Sequence, residues 1–188
     1  NLIAYGDNPW VSGVIGALIV IGGIGWRVTN DLWVNRFRLS RLRRLSLHTR
    51  LVVRTTEVLI LVGAVGLLFT EQFATEAMVT KLCLWHRLQV TLFQSITCRT
   101  AGFNTVPLSL ETISDAGLLL MIVLMFIGAS PGGTGGGIKT TTVAALIAAT
   151  RSTLRDQEVV VLRNRELPDR VILRAIGVTI ASALFIVA

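Results

Sequence analysis

Thr100-Ala101-Gly102-Phe103-Asn104 is a polar, glycine-centred turn set between two long apolar segments. Taken alone, these five residues suit a surface β-turn as well as anything else, since Gly and Asn are ordinary turn residues. The flanks decide. Leu82 to Thr97 contains no Pro or Gly, and at about 1.5 Å per residue such a helix enters a bilayer but stops short of crossing its roughly 30 Å core. The chain reaches Arg99 and Gly102 without having spanned, turns after Pro107, and returns to apolar sequence from Ala116 to Ala129. Non-helical backbone at membrane depth survives only where it is buried in protein or lines water, because an unpaired carbonyl in lipid costs several kcal/mol. A cation pathway uses such carbonyls, replacing an ion's hydration shell with fixed backbone oxygens. Gly102 fits that use because glycine adopts φ > 0 freely and lets successive carbonyls face one axis. The segment therefore reads as a pore loop.

The whole chain supports a polytopic membrane protein. Apolar residues make up 52% of its 188 residues, and the mean hydropathy is +0.68. The net charge of +7 is confined to blocks. Arginines crowd the stretch from Arg27 to Arg54 and again from Arg151 to Arg174, while residues 70 to 112 carry only Lys81, Arg87 and Arg99 as basic side chains. Under the positive-inside rule both Arg-rich links are cytoplasmic and the pore-loop region faces out. A nucleic-acid partner is not expected, since aromatic residues are sparse in both basic links and no binding motif is present. Cys83 and Cys98 have no metal-ligand spacing and read as free thiols. Residues 1 to 10 lack the basic start of a cleavable signal peptide. The sequence also opens in a loop and ends inside an apolar run, so it is expected to be a piece of a longer polypeptide.

In order, Pro9 to Trp26 is an apolar run of spanning length, ending on Trp26 and Arg27 at an interface. Its glycines weaken a soluble helix but allow close packing between membrane helices. Asn30 to Thr49 is expected to form a short amphipathic helix on the inner leaflet, with Leu39, Leu42 and Leu45 recurring between arginines. It is either a lipid-attracted stretch or a docking surface for a cytoplasmic partner. Leu51 to Phe69 spans outward, and its Glu57 is expected near the inner interface, meeting Arg54 or a neighbouring helix, in preference to a role in ion passage. Glu71 to Lys81 reads as a polar outer link. Thr112 or Ser114 is the expected cap of the next helix, with acid near its start. Val171 to Ala188 begins another span.

The second stretch that carries chemistry is Gly132-Gly133-Thr134-Gly135-Gly136-Gly137, preceded by Ser130-Pro131 and followed by Ile138-Lys139. It interrupts an apolar helix near mid-bilayer, so it must face the same cavity as the pore loop. Nucleotide motifs do not fit. A Walker A loop needs Gly directly before Lys, and Ile138 intervenes; a Gly-x-Gly-x-x-Gly count from Gly133 lands on Ile138. An anion site at the break, as in a secondary transporter, is the alternative, because half-helix N-termini attract negative substrates. With no nucleophile, general base or metal cluster, the sequence does not read as an enzyme.

An internal repeat is visible. Arg50-Leu51-Val52-Val53-Arg54 matches Arg170-Val171-Ile172-Leu173-Arg174, and Ile21-Gly22-Gly23 matches Ile127-Gly128-Ala129. The members of each pair run in the same direction, so the repeats are parallel about the membrane normal. Four units of helix, pore loop and helix around an axis would close such a pore.

Thr97-Cys98-Arg99-Thr100-Ala101-Gly102-Phe103-Asn104-Thr105 resembles the third filter of the bacterial Ktr/Trk/HKT potassium transporter superfamily, and Gly128 to Thr140 resembles the broken second helix of the same repeat. The Ser-Pro-Gly-Gly-Thr-Gly-Gly-Gly form is closer to the KtrB branch than to the TrkH branch. Cys98 departs from the family, where Pro is common. The resemblance implies an all-α, four-repeat, channel-like fold. Residues 1–29 would be the second helix of repeat two, 30–50 a cytoplasmic basic link, 51–155 the complete third repeat, 156–170 a cytoplasmic link, and 171–188 the start of repeat four. It implies K+ uptake across the plasma membrane, with K+ at backbone carbonyls of a filter formed by Thr100, Ala101, Gly102, Phe103 and Asn104. It also implies an intramembrane gate at Gly132, Gly133, Thr134, Gly135, Gly136, Gly137 and Lys139. The implied assembly is a homodimer among membrane lipids, seated on a cytoplasmic KtrA-type RCK ring. Any nucleotide sits on that partner, the chain itself needs no cofactor, and Na+ stimulates transport.

Overall fold

The computed structural model describes residues 2–6, 8–35, 45–72, 83–108, 113–157, 159–162 and 165–187. The architecture is helical. α1 (Pro9–Ile24) and α2 (Trp26–Val34) are followed by α3 (Leu47–Gln72), α4 (Leu84–Thr97), α5 (Asp115–Phe126), α6 (Thr140–Thr153) and α7 (Asp169–Val187). A two-residue antiparallel hairpin, β1 (Val161–Leu162) with β2 (Arg165–Glu166), lies between α6 and α7. Such a hairpin is not apparent in the basic link from sequence, where strands this short leave no period to detect.

α3 is the spine. It is 26 residues long with a mean hydropathy of 2.0 over its most apolar window, yet only 28% of that window is buried. A core helix of a soluble protein would be mostly covered; here Val58, Leu61, Val62, Val65 and Phe69 face outward, as a helix in lipid or against further membrane helices requires. Among the described residues it is the one unbent helix long and apolar enough to cross a membrane. α4 and α5 pack against its far half, burying Leu67, Val90, Cys98, Val106, Ile113, Met121 and Leu124 together. Its near half joins α1 and α2 in a second cluster of Ile24, Val28, Leu32, Leu45 and Val52.

α1 starts where the sequence marks it. Asn8 accepts hydrogen bonds from the amides of Trp10 (3.1 Å) and Val11 (3.4 Å), and Pro9 occupies the first turn, where its missing N–H costs nothing. Its end corrects the sequence expectation. The run does not continue through Trp26; it stops at Ile24, and α2 leaves at 101° to it. Gly25 makes the corner with φ of 85°, and a Cβ there would lie 2.8 Å from the backbone of Gly132 and Gly133. Residues 30–34, assigned from sequence to an amphipathic helix reaching Thr49, belong to α2, and 47–49 belong to α3. Leu39 and Leu42 lie outside the described residues, as do residues 73–82 of the outer link, Glu111 and Thr112.

α2 is tied to α3 by Asp31, whose carboxylate accepts from the Ser46 amide (3.1 Å) and the Asn35 amide group (3.1 Å). The Thr49 side chain, with these donors, holds the Asp31 carboxyl below its usual range against a smaller upward push from burial. Glu57 meets Arg54 at 3.6 Å with both side chains more than half exposed, an arrangement worth little in energy and the one expected from its place near the helix start.

Glu71 also departs from expectation. It is not in a polar link but in the last turn of α3, 2% exposed. There it accepts from the Ser114 hydroxyl (2.8 Å) and amide (3.1 Å). Ser114 in turn caps α5 by accepting from the Gly117 amide at 3.0 Å. A carboxylate at a helix N-terminus is favourable, and α5 has the expected Asp115 in its first turn together with Glu71 from a neighbouring helix. Glu71→Ala is expected to lower the unfolding free energy by about 2–3 kcal/mol, the value of a charged hydrogen bond plus stranded donors, with Glu71→Gln losing about half as much. Chemical denaturation of the full-length protein in detergent would check this, and equal midpoints for all three proteins would contradict it.

Candidate functional site

The site is the meeting place of the two stretches singled out in the sequence. α4 ends with regular carbonyl acceptors for Cys98 and Ala101, whose amides donate to Gln94 (3.0 Å) and Thr97 (3.1 Å). Then the backbone changes hand. Thr100 has φ of 69° and Gly102 has φ of 73°, while Ala101, Phe103 and Asn104 have no positive φ. A left-handed Thr is a real outlier, because its branched Cβ crowds the carbonyl. Thr97 holds the turn from behind: its Oγ1 donates to the Phe103 carbonyl at 2.6 Å and accepts from the Phe103 amide at 3.0 Å. The Asn104 carbonyl accepts from the Leu2 amide at 3.0 Å. At Gly102 a Cβ would meet nothing within 4 Å, so backbone conformation, not space, is what glycine supplies there.

The glycine-rich stretch closes on itself and then docks on α1. Its base is a parallel bridge between Ile127 and Ile138, with the Gly128 amide donating to Ile138 (3.0 Å) and the Ile138 amide to Phe126 (3.1 Å). The helix break is therefore wider than the glycines, running from Ile127 to Lys139. The Ser130 and Thr140 hydroxyls share a buried 2.8 Å hydrogen bond beneath it. At the tip, the amides of Ser130 and Thr134 donate to the carbonyls of Gly23 (3.0 Å) and Gly22 (3.2 Å), and the Trp26 amide donates to Gly132 (3.4 Å). The last carbonyls of a helix have no partner within it, and at α1 this loop supplies two. Lys139 turns back so that its Nζ donates to the Gly135 carbonyl at 2.8 Å.

The two stretches touch. A side chain at Gly135 would collide with the Thr100 hydroxyl and with Ala129, and Arg99 Nη2 donates to the Gly128 carbonyl at 3.3 Å. Gly102, Phe103 and Gly136 are exposed, and the Gly136 carbonyl accepts from the Ala129 amide at 3.1 Å. Arg99 was not singled out from sequence, since a lone basic residue beside a turn gives no sign of a carbonyl thirty positions on. Among the described residues no group of His, Cys, Asp and Glu could hold a metal ion through side chains. Cys83 and Cys98 are free thiols.

An apolar spanning helix, packed against a shorter helix and a backbone-walled turn, defines an all-helical integral membrane protein. The chain belongs to the TrkH family of cation transport proteins, which it matches over residues 1–186. It is 33% identical over 189 residues to Ktr system potassium uptake protein B of Bacillus subtilis, covering 100% of this chain and 40% of that protein. It is 33% identical over 182 residues to the protein of the same name from Vibrio alginolyticus, covering 97% and 39%. Its fold is similar to the crystal structure of the potassium transporter TrkH from Vibrio parahaemolyticus, with a TM-score of 0.73 at 19% identity over 95% of this chain and 37% of that one. The chain thus spans about two fifths of the length of the relatives it matches.

Proposed function

We propose that the full-length protein carries K+ across the cell membrane, with Thr100 to Asn104 as one segment of its filter and Gly132 to Gly137, with Lys139, as a gate beneath it. The contact of Thr100 with Gly135 carries the proposal. A filter and the element that occludes it must share one passage, and the two polar stretches, thirty residues apart in an apolar chain, meet at this contact. The alternation of φ sign over Thr100, Ala101 and Gly102 supports the filter part, with the Phe103 carbonyl held back by Thr97. Residues of alternating hand turn successive carbonyls to the same side, where a strand would point them to opposite sides.

On this proposal residues 51–155 form one complete helix, pore loop and helix unit of four, the Arg-rich links lie in the cytoplasm, and the filter opens outward. The names of the Ktr relatives support a place in a multi-subunit system. The partner would be a cytoplasmic RCK ring holding the regulatory nucleotide beneath a homodimer, with Na+ as a stimulating or accompanying ion. In cells stripped of their own K+ uptake, the full-length chain is expected to restore growth at low external K+, and its purified form to admit Rb+ into vesicles. A well-inserted protein that gives neither growth nor flux would refute the proposal.

A further inference from the structure

At the basic ends of α3 and α6 the two helices leave a cavity of about 580 Å³ that the filter and gate do not use. Arg54 of α3, Arg151 in the last turn of α6, and Arg155 just beyond it line one part. Val58, Ala144 and Ile147 line another. Arg54 shares Glu57, but among the described residues Arg151 and Arg155 have no acidic partner. Nor are they consumed in ending the helix. The amides of Leu154, Gln157 and Asp156 already donate to the carbonyls of Thr150, Ser152 and Thr153 at 2.9 to 3.1 Å. The Ser152 hydroxyl fixes the following turn by donating to Val159 at 3.0 Å. Asp156, the nearest other acid in sequence, takes a left-handed φ of 52° in that turn and does not line the cavity.

Two kinds of wall imply a ligand with two kinds of surface. Guanidinium groups suit phosphate oxygens. Val58 and Ile147, 52% and 61% exposed, continue onto the outward apolar side of α3 through Leu61 and Val62, a strip that in a membrane meets acyl chains. A soluble phosphate would engage the arginines alone, whereas a phospholipid would engage the arginines and the apolar wall together. We infer that this cavity is a binding site for an anionic phospholipid, with the phosphodiester on Arg151, Arg155 and Arg54 and an acyl chain along Val58 and Ile147. Its placement in the inner leaflet rests on the orientation proposed above; the site itself does not. Basic pockets between helices at the cytoplasmic face are suited to such headgroups.

The test uses the full-length protein reconstituted with phosphatidylglycerol and phosphatidylcholine, then extracted and weighed by native mass spectrometry. Wild type is expected to retain phosphatidylglycerol more strongly than Arg151→Gln/Arg155→Gln, by about five-fold for each arginine removed, the effect of a basic side chain at an anionic surface. Arg155→Gln alone, an exposed change beyond the helix, should give one such step and serves if the double variant misfolds. Phosphatidylcholine should show no difference, and millimolar inorganic phosphate should not displace the lipid. Equal retention by wild type and Arg155→Gln would overturn the inference. Displacement by inorganic phosphate would also do so, identifying a free-anion site instead. Neither readout depends on K+ flux.

Discussion

Gly102→Ser is expected to blunt discrimination between K+ and Na+ by about ten-fold, raising the external K+ that cells need for growth. The size follows from the backbone. Gly102 has φ of 73°, where an L-residue is less stable by about 1–2 kcal/mol, and 1.4 kcal/mol is a factor of ten. No neighbour lies within 4 Å of a Cβ at this position, so packing does not oppose the serine. The strain is relieved by rotating the backbone, and that rotation moves the carbonyls on either side. Thr97 resists that movement only at Phe103, to which both of its hydrogen bonds go. Gly102→Asn, which tolerates left-handed backbone better, should retain more discrimination than Ser. Relative Rb+ and Na+ fluxes into vesicles containing each full-length variant would measure this. Unchanged discrimination in Gly102→Ser would remove Gly102 from the filter.

The sequence carried much of this fold because lipid narrows the choices. The long apolar α3, the short α4 and the broken helix from Asp115 to Thr153 are legible from apolar length and glycine position, and the two cysteines are free as read from their spacing. The corner at Gly25 was not legible. Glycine within an apolar run is permissive for helix packing and for a bend alike, and the reason for a bend lies over a hundred residues away, in the loop whose backbone sits against it. Glu71 was misplaced for a similar reason. Thr70, Glu71 and Gln72 look like the start of a polar link, and only the arrival of Ser114 shows that the carboxylate is needed inside. For the candidate site, composition pointed to both glycine-bearing stretches, while their contact through Thr100, Gly135, Arg99 and Gly128 is tertiary and has no local signature.

Shortening the glycine-rich stretch is expected to raise cation flux, and the structure says which residues to remove. Deleting Gly132, Gly133 and Thr134 spares the base of the loop, where Ile127 pairs with Ile138, and leaves Gly135 for Lys139. It removes two backbone hydrogen bonds to the α1–α2 corner, from Trp26 to Gly132 and from Thr134 to Gly22. At about 1 kcal/mol net for each, some 2 kcal/mol of the loop's hold on that corner disappears. If the loop must leave the passage for an ion to pass, the barrier falls by that amount and flux rises by about 30-fold. The Gly22 carbonyl loses its donor and the Trp26 amide its acceptor, both at helix ends, where water in an open passage can replace the partner. Rb+ influx into vesicles at equal protein content is the measurement. If the stretch is only a clamp for α1, the same deletion loosens the corner and flux falls or stays level. A folded deletion variant with wild-type influx would therefore assign Gly132 to Thr134 to architecture and leave the gate to be sought elsewhere along the passage.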